Sequence, residues 1–135
     1  MVATFTFELV SPEKLLFSKP VAMVTVPGSK GEYGVLAGHA PMITEIKPGV
    51  IKIYEENDAT VSSSLFVAGG FAEVTQTRFT VLAGEAMLVS ELDAAALHGQ
   101  AKDLASKIAA ASDDADRAAL LAEQEIVAAK LQAAA

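Results

Sequence analysis

Apolar and polar residues alternate at period two over the first two thirds of the chain, then switch to helical spacing. Phe5, Phe7 and Leu9 alternate with Thr4, Thr6 and Glu8, and Ile51 and Ile53 flank Lys52. Successive side chains of an extended chain point to opposite faces, so this pattern predicts half-buried strands. Pro27-Gly28, Lys47-Pro48-Gly49, Asn57-Asp58 and Gly69-Gly70 punctuate the alternation at close intervals. That rhythm of short strands and turns predicts an all-β sandwich or barrel without crossover helices. Phe5, Phe7, Ile51, Ile53, Phe66, Phe79 and Val81 form its expected core.

Beyond Ser90 the period lengthens. Ser90-Glu91-Leu92-Asp93 supplies a hydroxyl N-cap with an acid three residues on, and Leu97, Ala101, Leu104 and Ile108 then recur on one helical face. Ala111-Ser112-Asp113-Asp114 interrupts that face with a second N-cap signal. A second stripe follows at Ala119, Ala122, Ile126, Ala129 and Ala133, with Leu120, Val127 and Leu131 beside it. The expected fold class is an all-β sandwich over residues 1–90 followed by a C-terminal α-helical hairpin over residues 91–135.

Composition sharpens this division. All five prolines, all six phenylalanines and eight of the nine glycines precede Ser90, whereas 17 of the last 45 residues are alanine. Alanine favours helix but buries little, so the hairpin is expected to dock only marginally. No apolar run approaches the ~20 residues of a membrane span. The alternation that begins at Thr4 leaves no room for a signal or transit segment, which points to a mature cytosolic protein.

The net charge of −7 argues against nucleic acid and against an anionic membrane surface, both of which select clustered Lys and Arg. No cysteine is present, which excludes disulfides and thiolate metal sites. His39, in Gly38-His39-Ala40-Pro41, is the one strongly placed histidine. It suits a loop-fixing hydrogen bond or an exposed contact better than catalysis, because no carboxylate or second histidine stands at ligand spacing. Gly31, Gly34 and Gly38 lack the pattern and following helix of a phosphate cradle and read as turns. Glu55-Glu56 and Asp113-Asp114 are adjacent pairs, which cannot face one substrate together. Neither a cofactor nor a metal is expected.

The run Gly31-Glu32-Tyr33-Gly34, Gly38-His39-Ala40-Pro41 and Ile46-Lys47-Pro48-Gly49 resembles the signature of the epsilon subunit of bacterial F-type ATP synthases, the counterpart of the mitochondrial delta subunit. The resemblance continues in Val10-Ser11-Pro12-Glu13 with Phe17-Ser18, in Ala68-Gly69-Gly70-Phe71 with Glu73-Val74, and in Thr80-Val81-Leu82-Ala83. It implies a central-stalk rotor subunit without chemistry of its own, peripheral on the cytoplasmic face of the bacterial inner membrane. One side of the sandwich would then pack on the gamma subunit and its lower loops would seat on the c-ring, with the catalytic alpha and beta subunits reached through the hairpin. Glu32 and His39 are the implied c-ring contacts. Val35, Leu36, Met42 and Ile43 are either interface or core.

The family's nucleotide motif at the hairpin start is Ile or Leu, Asp, two variable residues, Arg and Ala. Leu92 and Asp93 match its first two positions, but Ala96 occupies the arginine position. An arginine fork is what would hold phosphate, so Asp93 reads as part of the helix start. From Glu91 onward four basic residues face eight acidic ones, a net charge of −4. Family members that inhibit ATP hydrolysis have a more basic hairpin, so weak regulation is expected here. The alternatives from other classes are a small β-sandwich hydrolase using His39 and a stand-alone nucleotide-sensing module.

Overall fold

The computed structural model describes residues 3–134. The chain separates into two compact units, Met1–Leu88 and Val89–Ala135.

Eight strands make up the first unit: β1 (Phe5–Val10), β2 (Leu15–Val21), β3 (Met23–Gly28), β4 (Gly31–Leu36), β5 (Met42–Tyr54), β6 (Ser63–Val74), β7 (Arg78–Ala83) and β8 (Ala86–Leu88). Their order is β2-β1-β7-β6-β5-β3-β4, with β8 also on β6, and every pairing is antiparallel except the parallel β1–β7 pair. The result is a β-sandwich.

Strands β5 and β6 span both layers. They stay in one register throughout, from Met42 opposite Val74 to Ile53 opposite Ser63. Their inward face nevertheless changes phase: Ile46, Ala72 and Val74 are buried at even positions, whereas Ile51, Ile53 and Val67 are buried at odd ones. The switch falls at Pro48-Gly49 and Gly69-Gly70, where both glycines of β6 have positive φ, +100° and +151°. A bend there carries the pair from one layer to the other, so both halves line one core. Six of the seven residues expected in the core belong to it, Phe5, Phe7, Ile51, Ile53, Phe79 and Val81; Phe66 is completely buried too, but it alternates with the core-facing Leu65 and Val67 and lies outside that cluster. Phe7 meets Phe79 edge-on at 5.6 Å and Phe17 at 5.7 Å between ring centroids. No polar or charged residue is buried among those described.

In the second unit a 3₁₀ turn (Val89–Glu91) leads into α1 (Ala94–Ala110) and α2 (Asp114–Ala134). At about 1.5 Å per residue the helices are about 26 and 32 Å long. Here the structure corrects the expected cap. Ser90 lies within the 3₁₀ turn, and Asp93 caps α1 through its carboxylate, which accepts from Ala95 N at 3.0 Å and Ala96 N at 3.3 Å. Asp113 caps α2 in the same way, accepting from Ala115 N at 2.9 Å. Arg117 reaches back across the turn to donate to the Ala111 carbonyl at 2.6 Å. The α1 face is as expected, with Leu97 and Leu104 buried. On α2 the packed stripe is Leu120, Val127, Leu131 and Ala134, displaced from the alanine stripe read from the sequence. The reason is volume, since larger side chains gain more by leaving water. Among the described residues of the hairpin, Leu97, Leu104 and Val127 are the buried ones.

Candidate functional site

Glu32 and His39 meet at one place. The tight β3–β4 turn, with Gly28 opposite Gly31, projects Ser29 and Lys30, and the loop after β4 folds back through Gly38 at φ +78°. Between them lies a cleft of about 520 Å³ lined by Lys30, Glu32, Tyr33, His39, Met42 and Thr44 together with turn residues. Gly38 and His39 are held by backbone bonds, Gly38 N to Gln76 O and His39 N to Leu36 O, both 3.3 Å. His39 Nδ1 lies 2.7 Å from the Ala40 carbonyl, and that oxygen accepts only from a protonated nitrogen, which fixes the neutral ring as the Nδ1–H tautomer. His39 is thus a braced loop residue with Nε2 uncommitted by that bond.

Among the described residues no group of three or more histidine and acidic side chains is arranged to hold a metal ion. Tyr33, Thr44 and Lys30 join the cleft without having been singled out from the sequence. The only sequence signal was the position of Tyr33 inside the Gly31–Gly34 turn strand.

The four ambivalent apolar residues divide. Val35 is core and Met42 packs against the core, whereas Leu36 and Ile43 are exposed, at 47% and 74%. A second surface emerges from strand register. Leu15 lies opposite Val10, Val10 opposite Leu82, and Leu82 opposite Phe71. Leu15, Leu82 and Phe71 are 54%, 49% and 57% exposed. They form an apolar stripe across four strands on the outside of the sheet. Glu45 lies beyond Phe71, and Glu73 between Ile43 and Thr80, so the stripe has an acidic margin. Glu8, in the next row, is paired with Arg78 at 3.0 Å.

At the hairpin start, Asp93 is engaged by the helix amides and Leu92 packs with the hairpin core.

Residues 4–89 match the family model described as ATP synthase, Delta/Epsilon chain, beta-sandwich domain. The chain belongs to the delta/epsilon family of ATP synthase subunits. An ATP synthase epsilon chain of Rhodospirillum centenum is 57% identical, the match covering 89% of this chain and 84% of that one. That of Paramagnetospirillum magneticum is 52% identical, covering 87% of each. Among solved structures, a chain in the cryo-EM structure of Euglena gracilis mitochondrial ATP synthase, OSCP/F1/c-ring in rotational state 1, superposes with a TM-score of 0.83 at 28% identity, covering 98% of this chain and 81% of that chain. This delta/epsilon-family chain is a non-catalytic subunit of the rotary synthase. Among its described residues no helix is long and apolar enough to cross a membrane.

Ala96 bears directly on nucleotide binding by this delta/epsilon-family subunit. Calorimetric titration of the isolated chain with ATP is expected to show no saturable binding at micromolar concentration, and Ala96→Arg to tighten binding about ten- to hundredfold, the worth of a charge-assisted contact. A micromolar dissociation constant for the unaltered chain would contradict this.

Proposed function

We propose that the subunit is the coupling piece of the central stalk, with the cleft end of its sandwich seated on the c-ring and the Leu15–Leu82–Phe71 stripe packed on the gamma subunit. It works peripherally, at the cytoplasmic face of the bacterial inner membrane. The observation that carries the ring contact is the convergence of Glu32 and His39, seven residues apart in the chain, on one braced cleft. The likeness to a chain solved within an F1/c-ring assembly supports the same reading.

Torque transfer asks for rigid surfaces, and the sandwich supplies them. A packed core resists deformation, so force entering at one end leaves at another without being absorbed in internal strain. Glu32 is an exposed carboxylate at the cleft rim, able to take charge-assisted hydrogen bonds from a partner loop. The apolar stripe with its acidic margin fits a partner face having an apolar centre and a basic margin. The two surfaces lie on different parts of one rigid body, so the subunit can bind both partners together.

The test is co-purification. The tagged chain recovered from bacterial membranes is expected to bring gamma and ring subunits in a roughly one-to-one ratio with gamma. In the same membranes Glu32→Lys or His39→Trp is expected to loosen coupling, lowering the protons pumped per ATP hydrolysed while the fold is kept. Unchanged pumping in both variants would remove the cleft from the ring contact, and recovery of no synthase subunit would remove the stalk reading.

A further inference from the structure

The turn between α1 and α2 lacks the usual means of fixing a helix end. It consists of Ala111, Ser112 and Asp113, without glycine, and α1 ends on Ala111 in an extended conformation at φ −69° and ψ 130°. Among the described residues only glycines have positive φ, and none lies in this turn. No left-handed residue therefore folds the chain back onto the last carbonyls of α1. Side-chain packing closes the turn poorly as well. An open hollow of about 470 Å³ lies there, lined by Lys107, Ala110, Ala111, Asp116, Ala119 and Leu120. The buried Leu97, Leu104 and Val127 stand about two helical turns or more away.

Arg117 supplies the missing tie. From the start of α2 its Nη2 donates to the Ala111 carbonyl at 2.6 Å, while Nη1 stands 3.5 Å from Asp114 Oδ1. The guanidinium thus reaches from one helix to the end of the other. A cation is favoured at a helix C-terminus and disfavoured at an N-terminus, where unpaired amides carry positive partial charge. Arg117 sits at the unfavourable end of α2 and beside the favourable end of α1, so its charge stabilises the hairpin only while the two helices are together. The pair with Asp114 does not alter this, because that side chain is fully exposed and solvent screens it.

We propose that Arg117 is a latch on the hairpin: its bond to the Ala111 carbonyl holds α1 and α2 together as one body, and they part only when that bond breaks. The latch belongs to the hairpin alone. It does not depend on where the sandwich meets gamma or the ring.

Amide hydrogen exchange of the full-length chain tests this. Helices take most of their stability from packing, so a hairpin that parts more often loses protection along both arms. Arg117→Gln is expected to lower protection about three- to tenfold through α1 and α2 alike and to leave the sandwich amides unchanged. That range is the worth of a charge-assisted bond, discounted for a guanidinium side chain 43% exposed. Arg117→Lys, which keeps the charge and a donor, is expected to recover most of the protection. Without a latch, Arg117→Gln would slightly strengthen α2, since it removes a cation from the helix N-terminus. Unchanged or raised protection would therefore overturn the proposal, as would a loss confined to residues 108–117, which would make Arg117 a local cap. Arg117→Lys as poorly protected as Arg117→Gln would overturn it too, including the case in which Arg117→Gln melts the hairpin outright.

Discussion

Gly70→Ala is expected to abolish the folded sandwich. The residue sits at φ +151°, and a Cβ on it would land on the Leu82 carbonyl oxygen of the adjacent strand. Backbone cannot swing aside as a flexible side chain can, so β6 and β7 would have to part where they now pair from Gly70–Ala83 to Val74–Phe79. The penalty combines an unfavourable φ with lost ladder bonds and opened core, and we expect more than about 4 kcal/mol. Domains of this size are stable by about 5–15 kcal/mol, so little would remain. Circular dichroism should show a non-cooperative or strongly lowered melt. Gly84→Ala is the control, since nothing lies within 4 Å of its added Cβ, and its melt should stay close to that of the unaltered chain. A cooperative melt of Gly70→Ala at the unaltered midpoint would show that the two strands do not pass as closely as described.

Leu82→Asp combined with Phe71→Asp is expected to disrupt binding to gamma without unfolding the subunit. The two side chains are opposite each other on neighbouring strands and about half exposed, so charging them costs the core little. In an interface each would lose the burial of a large apolar side chain, roughly 1.5–3 kcal/mol, and would add an unpaired charge to the centre of the contact. Affinity should fall at least about hundredfold. Titration of isolated gamma with each chain reads this directly, with the melting temperature as the check on folding. An unchanged dissociation constant would show that gamma packs elsewhere.

The strands were readable from the sequence wherever a single period governs burial. Strand β1 alternates buried and half-buried residues from Phe5 to Val10 without a break, because one face meets core and the other meets solvent. The reading weakens where the period itself changes. Strands β5 and β6 shift phase at their central glycines, and nothing local distinguishes such a bend from a turn between two shorter strands. The helix starts illustrate a different loss: Ser90 and Asp93 both suit an N-cap, and only the path of the chain after the sandwich decides between them. On α2, near-continuous alanine and leucine make several stripes look alike, and the packed one is chosen by the helix opposite.

The functional end of the molecule divides along the same line. Alternation, turn chemistry and the motifs from Gly31 to Gly49 determined by themselves that this chain is a β-sandwich with a helical appendage and a member of its family, since these depend on local spacing and residue type. The tertiary structure alone decided that Glu32 and His39 share a cleft, that Tyr33 lines it with them, and that Leu15, Leu82 and Phe71 from three separate strands form one stripe. Strand register and loop return set those relations through contacts between residues remote in sequence, and a one-residue slip in register would turn the stripe inward.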